Sequence, residues 1–497
     1  ALPLARPGIV AGLALVLIAL DLVTNLKRHV TWVVMVGLIV PMVFIVLLWI
    51  GLNDNDLPSK IFFASLSLDH FALTFKALII VILVPIVLLS HQYSSNYSLF
   101  RMEYFSLILI SAVGMMLLAS AADLITIYIA LELTAIPIAA LATFMRKIRS
   151  VEAGMKFLIL SAISSAILLY GLVILYGYTG SVNLEIINSR ILEIGQQHSA
   201  PFGSYALLLA VAMIVAGFGF KIAIVPFQMW APDVYEGSPI PVTAFLSVAS
   251  KAAGFAVILR VFNIAFVNQD FSQMGIDWSL IWGILAVLSM TIGNIVAIRQ
   301  TKIIRLMAYS SIAHAGYILI GVTAVSSRLV DDLSLGISAS IFYLIAYAAT
   351  NIAAFSIIIA ISKFAPNGLI HEFSGLKNRS ITLSVVLALA ILSLIGLPPS
   401  AGFVAKFYLF GSAISAGLEW LAIIAVLNSV VSAYYYLRIL KYVFLSDSDD
   451  DEKIDVFSMK PVLISAIFSL GIILLLGVFP GPILEIVQIA ADALLLG

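Results

Sequence analysis

Long apolar runs recur from one end of this chain to the other, and they restrict its fold more than any other feature. Fourteen such segments, bounded by polar or Pro/Gly residues, lie at approximately 8–23, 30–52, 71–90, 105–121, 125–144, 153–178, 205–230, 241–262, 278–298, 306–325, 336–362, 381–417, 420–443 and 461–479. Roughly 20 mostly apolar residues carry a helix across a hydrocarbon core about 30 Å thick. Composition agrees: 62% of the 497 residues are hydrophobic and 10% charged, where soluble chains run near 45–50% and 25%. No soluble fold covers that much apolar surface. The expected fold class is all-α integral membrane, with about 14 transmembrane helices forming one membrane domain.

Several functions are excluded. Net charge is zero, with 26 basic and 26 acidic residues, which removes nucleic acid as a partner. Cysteine is absent, so the chain holds no disulfide, thiolate-bound iron–sulfur cluster or cysteine-ligated zinc. The six histidines, at 29, 70, 91, 198, 314 and 371, are scattered and form no HxxxH-like pair; no metal site is expected. Neither GxxxxGK[ST] nor a complete GxGxxG occurs, so energy from nucleotide chemistry must enter through another chain. The acidic run 446–452 lacks EF-hand spacing and its glycine, and reads as a solvated loop. Without a basic n-region and small-residue cleavage site, the first apolar stretch is expected to be a retained helix.

The twelfth segment is too long for one simple helix. Its middle, Gly396-Leu397-Pro398-Pro399-Ser400-Ala401-Gly402, must interrupt the backbone ladder because two prolines lack donors. Such a break at membrane depth is tolerated only where protein or water satisfies the freed groups. Ala216-Gly217-Phe218-Gly219-Phe220-Lys221 in span 7 matches Ala401-Gly402-Phe403-Val404-Ala405-Lys406 in span 12 as A-G-F-x-x-K. Five spans separate the lysines, an odd number, so their helices run in opposite directions. That is the signature of inverted-topology repeats with a site at discontinuous helices. The expected organisation is three N-terminal helices (1–100), a first five-helix repeat (101–265, spans 4–8), a second (275–445, spans 9–13), and the acidic loop with the last helix (446–497), with helices 7 and 12 broken. Pro226 follows Lys221 whereas the proline pair precedes Lys406, so the unwound side should differ between them. Lys and Arg concentrate after spans 1, 5, 9, 11 and 13 (Lys27/Arg28, Arg146/Lys147/Arg149, Arg299/Lys302/Arg305, Lys363/Lys377/Arg379, Lys441/Lys453/Lys460). The positive-inside rule then puts odd-numbered connections in the cytoplasm and both termini on the other side.

Four ionisable residues stand out by depth. At about 1.5 Å per residue, Lys251 is roughly 15 Å from either end of its span, Lys221 roughly 14 Å and Lys406 roughly 16 Å from the ends of theirs, and Glu132 roughly 10 Å in. The lysines are too deep to snorkel. Insertion scales charge about 2.5–3.5 kcal/mol for such a residue, so each needs a partner or a cavity. Structural ion pairing is one answer. The other is proton transfer: burial disfavours the charged amine and a nearby carboxylate restores it, so a movable Glu132–Lys221 pair acts as a switch that releases a proton toward Lys251. His314, inside span 10, can bridge Lys251 to Lys406, because imidazole both accepts and donates near neutral pH; hydrogen bonding in the core is its other role. Tyr343, Tyr347, Asn428, Ser432 and Tyr435 can wet the path or simply pack. Lys76 is expected to pair locally with Asp69 or to snorkel, Lys156 to meet the Glu132 region or the headgroups, and Asp21 and Asp123 to serve span ends.

This pattern resembles the antiporter-like membrane subunits of complex I, the NADH:quinone oxidoreductase, and among them the subunit N branch. The resemblance covers essentially the whole chain. Its most specific stretch is Pro226-Phe227-Gln228-Met229-Trp230-Ala231-Pro232-Asp233-Val234-Tyr235-Glu236-Gly237-Ser238-Pro239 leading to Lys251, with Leu131-Glu132-Leu133 and Leu397-Pro398-Pro399-Ser400-Ala401-Gly402-Phe403-Val404-Ala405-Lys406 also fitting. The sister subunits and Mrp-type antiporters look more like H-x-W-L-P-x-A-H in the first region, absent here. A lysine in broken span 12 and the lack of a long lateral helix argue against two of the sisters. The resemblance implies Glu132 and Lys221 as the coupling ion pair, Lys251 as central proton carrier and Lys406 as the second. It implies a translocase subunit with no redox chemistry of its own, in an inner (plasma) membrane. NAD, FMN, iron–sulfur clusters and quinone would sit in partner membrane and peripheral subunits, with lipid around the chain. The alternative is a subunit of a Mrp-type sodium/proton antiporter.

Overall fold

The computed structural model describes residues 5–23, 30–53, 60–93, 101–197, 201–266, 278–327, 333–447 and 453–496. Lys27, Arg28 and most of the acidic run lie outside the described residues, as does the side chain of Asp21. The helices are α1 (Ala5–Val23), α2 (Val30–Asn53), α3 (His70–Tyr93), α4 (Arg101–Ser120), α5 (Leu124–Ala142), α6 (Ile148–Thr179), α7 (Leu184–Gln197), α8 (Pro201–Ile222), α9 (Trp230–Gly237) and α10 (Ile240–Ile264). They continue as α11 (Trp278–Ile298), α12 (Ile303–Val325), α13 (Ser334–Ile361), α14 (Ile381–Ile395), α15 (Ala401–Ser415), α16 (Glu419–Leu445), α17 (Lys460–Val478) and α18 (Gly481–Leu496). Among the described residues, 12 helices are long and apolar enough to cross a membrane. The remaining two expected crossings are α1, whose apolar part is shorter, and the pair α14 and α15, which share one apolar segment broken at 396–400.

The two halves follow one plan. Each opens with a tightly apposed pair, α4 with α5 and α11 with α12, and glycine permits the approach in both. A Cβ on Gly114 would lie 2.7 Å from the Thr134 amide nitrogen, and one on Gly316 2.7 Å from that of Met290. Small residues at such contacts let backbones meet where lipid offers no hydrophobic drive for association. The fourth crossing of each half is the discontinuous one, α8 to α9 in the first and α14 to α15 in the second. Helices α3, α10, α12 and α13 form the buried centre, while α2, α6, α16 and α17 turn apolar faces outward. A bundle surrounded by hydrocarbon has that distribution.

Two helices were not anticipated from apolar runs. Helix α7 is amphipathic, burying Leu184, Ile187 and Ile191 at helical spacing while Asn188 Nδ2 donates to the Ile264 carbonyl at 2.8 Å across the end of α10. Helix α18 buries Val487, Ala490, Ala491 and Leu494 and packs on α13 and α3. Both alternate apolar with polar positions, so neither reads as a membrane span. Asp123 serves the span end as expected: its carboxylate caps α5 through the Thr126 amide at 2.8 Å and the Thr126 hydroxyl at 2.7 Å, a contact worth about 1 kcal/mol.

Candidate functional site

The broken crossings set the two outer lysines. Helix α8 ends at Lys221-Ile222, and the chain runs unwound to α9, with the freed Phe220 carbonyl accepting from Trp230 Nε1 at 3.0 Å. In the second half the break comes first. Gly396 takes a left-handed turn at φ +89°, and Lys406, in the second turn of α15, reaches back to the end of α14. Its ammonium donates to the carbonyls of Leu394 at 3.2 Å and Ile395 at 2.7 Å and to Ser429 Oγ at 2.8 Å. The break is therefore closed by the lysine that needed a partner. The unwound segment lies after Lys221 and before Lys406, as the placement of the prolines required.

Lys251 follows a π-helical turn at Leu246–Ser250, an irregularity that often marks function. Its ammonium donates to the carbonyl oxygen of Ser311 in α12. The Ser311 hydroxyl lies 3.2 Å from Tyr235 Oη, presented by α9. Helix α8 passes close on the other side. The Lys221 stem runs 3.5 Å from where a Cβ on Gly254 would sit, one turn beyond Lys251.

Glu132 lies within electrostatic reach of Lys221, but the two form no ion pair in this structure. Glu132 Oε1 and Lys221 Nζ are both buried and have no hydrogen-bond partner among the described residues. Leaving a buried polar group without a partner is costly.

His314 is held on both ring nitrogens, with Nδ1 2.8 Å from Tyr343 Oη and Nε2 3.2 Å from Tyr436 Oη. Tyr436 also hydrogen-bonds Ser310, the residue before Lys251's acceptor. On its other side His314 borders a small cavity lined by Tyr343, Tyr347, Thr350, Ser393 and Leu394, with room for about one water molecule. Leu394 is a Lys406 acceptor, and the Lys406 ammonium also lies 5.0 Å over the Tyr317 ring. Lys221, Lys251, His314 and Lys406 are 8%, 2%, 4% and 5% exposed. None faces the hydrocarbon, and polar groups occupy the space between Lys251 and Lys406.

Other expectations need revision. Asp69 does not pair with Lys76: it accepts from Arg260, the Nη1–Oδ2 distance being 2.9 Å, and Arg260 Nε also donates to the Ala119 carbonyl at 3.0 Å. Lys76 is buried, 3% exposed. Arg260 looked ordinary in sequence because it lies near a span end. Lys156 does not pair with Glu132 but bridges Glu152 at 2.7 Å and Asp233 at 3.1 Å. Asp233 and Glu236 both accept from Arg305 at 2.9 Å, and Glu236 from Lys302 at 2.5 Å. Burial pushes both carboxyls up, but the surrounding Lys156, Arg305 and Lys302 outweigh it and hold both below their ordinary values. This network rims an open cavity of about 250 Å³ and fixes α9 to α6 and α12. Asn428 and Tyr435, which could wet the path or pack, converge on Asn294, Tyr435 Oη donating at 3.0 Å and Asn294 Nδ2 donating to the Asn428 backbone carbonyl at 3.1 Å. Tyr436, passed over in the sequence, is the one that reaches the histidine. The run Tyr434-Tyr435-Tyr436 was the available signal.

Residues 121–432 match the family described as NADH:quinone oxidoreductase/Mrp antiporter, TM. A relative from Trichlorobacter lovleyi, NADH-quinone oxidoreductase subunit N, is 40% identical over 482 residues, covering 96% of this chain and 94% of that protein. In the structure of respiratory complex I from Thermus thermophilus with bound aureothin, one chain superposes with a TM-score of 0.75 at 30% identity, covering 97% of this chain and 98% of that one. A chain of the Mrp complex from Dietzia sp. superposes with a TM-score of 0.80 over 99% and 97% of the two chains, but at 21% identity that likeness concerns the fold alone.

Proposed function

This chain belongs to the NADH:quinone oxidoreductase/Mrp antiporter family of membrane subunits, within its subunit N branch, and on that premise we propose that it translocates protons by the residues described above. Within a complex I-like assembly it is the translocase element and performs no redox step. NAD, FMN, iron–sulfur clusters and quinone belong to partner subunits, and quinone reduction there resets the Glu132–Lys221 pair. The division at 1–100, 101–265, 275–445 and 446–497, and termini on the non-cytoplasmic side of a plasma membrane, are parts of the same reading.

The observation that carries it is the set of buried polar groups between the two lysines: the Ser311 carbonyl that accepts from Lys251, the hydrogen-bonded Ser310, Tyr436 and His314, and the cavity that runs from His314 to Leu394, a Lys406 acceptor. When the Glu132–Lys221 pair is closed, Lys221 retains its proton. When it opens, the buried ammonium loses its counter-charge and releases the proton toward the neighbouring Lys251. Lys251 hands it on through the α12 side chains to His314, and the single-water cavity leads to Lys406. Likeness to Mrp supports the fold, while near full-length identity favours the quinone-oxidoreductase branch over a sodium/proton antiporter.

The test is Lys251→Ala in the intact complex, reconstituted in vesicles. Proton pumping per quinone reduced should fall sharply, with assembly intact. An unchanged proton-to-quinone ratio would remove Lys251 from the mechanism, and sodium-dependent proton flux without a redox donor would favour the antiporter reading.

A further inference from the structure

Tyr436 hydrogen-bonds both Ser310, the residue before Lys251's acceptor, and His314. Ser311, whose carbonyl accepts from Lys251, follows Ser310 in α12, and His314 lies one turn further along the same helix. Groups on successive turns are about 5–6 Å apart, too far for a direct proton hop. Tyr436 Oη, arriving from α16, spans that turn: it hydrogen-bonds Ser310 Oγ and lies 3.2 Å from His314 Nε2. Its ring is fully buried and packs at a tilt of 47° against Tyr435 with centroids 4.4 Å apart, so the hydroxyl is held in place.

We propose that the Tyr436 hydroxyl is the proton-passing link between the Lys251 side of the relay and His314. This rests on the relay reading above. A phenol donates one proton and accepts at its oxygen, so with one partner on each side it can pass a proton without ionising. A proton delivered from the Lys251 side binds Ser310 Oγ. The serine's own proton passes to Tyr436 Oη, and the phenol's own proton passes to His314 Nε2. Both hydroxyls end neutral, and the imidazole carries the charge onward. Reset requires both hydroxyls to rotate.

Ser310 and His314 from α12, Tyr317 and Tyr347 from α12 and α13, and Tyr435 on its own helix are the groups that face or act on this phenol. The test compares Tyr436→Phe with Lys251→Ala and with Tyr434→Phe, a change on the outward face, in the reconstituted complex. Tyr436→Phe keeps the ring and removes only the hydroxyl. The proton-to-quinone ratio should fall at least about tenfold, with Tyr434→Phe at wild-type level. If Tyr436→Phe pumps normally while Lys251→Ala does not, the tyrosine assignment is overturned and the relay reading stands. If both pump normally, the relay reading fails and takes the assignment with it. Should Tyr436→Phe not assemble, a ring-fluorinated tyrosine at 436 preserves shape and hydroxyl but is more acidic. It should shift the pH profile of pumping, and an unmoved profile overturns the proposal.

Discussion

The Lys406 ammonium lies 2.7 Å from the carbonyl oxygen of Ile395, the last residue of the half-helix that ends just before its own begins. A buried cation and a helix C-terminus thereby satisfy each other. The macrodipole and the free carbonyls favour positive charge there.

That pairing makes Gly396 sensitive. It stands at φ +89°, and an added Cβ would lie 2.8 Å from Lys406 Cδ. Gly396→Ala should cost about 1–2 kcal/mol in backbone strain and displace the lysine. Coupled quinone reduction by the complex should fall while hydrogen exchange at 396–402 rises; unchanged exchange would show that Lys406 does not close the break.

Glu132→Gln should separate function from stability. Because Oε1 has no hydrogen-bond donor among the described residues, neutralising the carboxylate removes little that holds the fold. The thermal midpoint should stay within about 2 °C, and proton pumping should fall roughly tenfold or more. A large loss of thermal stability with pumping retained would make Glu132 structural.

Acid should spare α9 longer than ordinary carboxylates allow. Asp233 and Glu236 have folded values below their reference values of 3.8 and 4.5. A lowered carboxyl contributes stability that is fully present above the unfolded value and is lost as pH falls through the folded one. Hydrogen exchange of α9 should be flat from neutral pH to about pH 5 after correction for intrinsic rates, and protection should be lost only well below that. Protection that fades near pH 6 would contradict the ion network. Asp233→Asn should weaken α9 in the same assay at neutral pH.

Arg260→Met should be severe. Arg260 is 1% exposed, and its guanidinium serves both Asp69 and the Ala119 carbonyl. Removing one partner of a buried pair costs about 3–5 kcal/mol. The yield of folded protein and the thermal midpoint in detergent should both drop, and Asp69→Asn combined with Arg260→Met should cost less than the sum of the two single changes. Simple additivity would mean the two side chains do not interact.

Several site residues were legible because depth alone marks them. Lys221, Lys251, Lys406 and Glu132 are expensive wherever they fall in an apolar run, and the proline pair at 398–399 announces a break. Partners were not legible, since each comes from another crossing. Asp69 is separated from Arg260 by 191 residues and Ser310 from Tyr436 by 126, and no local pattern encodes such pairs. The choice between Tyr435 and Tyr436 turned on helix rotation, about 100° per residue, which packing sets and spacing does not.

By itself the amino-acid sequence determined that the chain lives in a membrane, how many times it crosses, that two crossings are broken in opposite halves, and which charges lie deep. Hydrophobic length, proline chemistry and the cost of burying charge act locally, so they are written locally. Only the tertiary structure decided what each charge meets: Lys406 a helix end, Lys251 a serine carbonyl, Lys221 a carboxylate left apart from it. Those outcomes depend on how rigid helices turn and settle against one another, a collective balance of packing that no single segment contains.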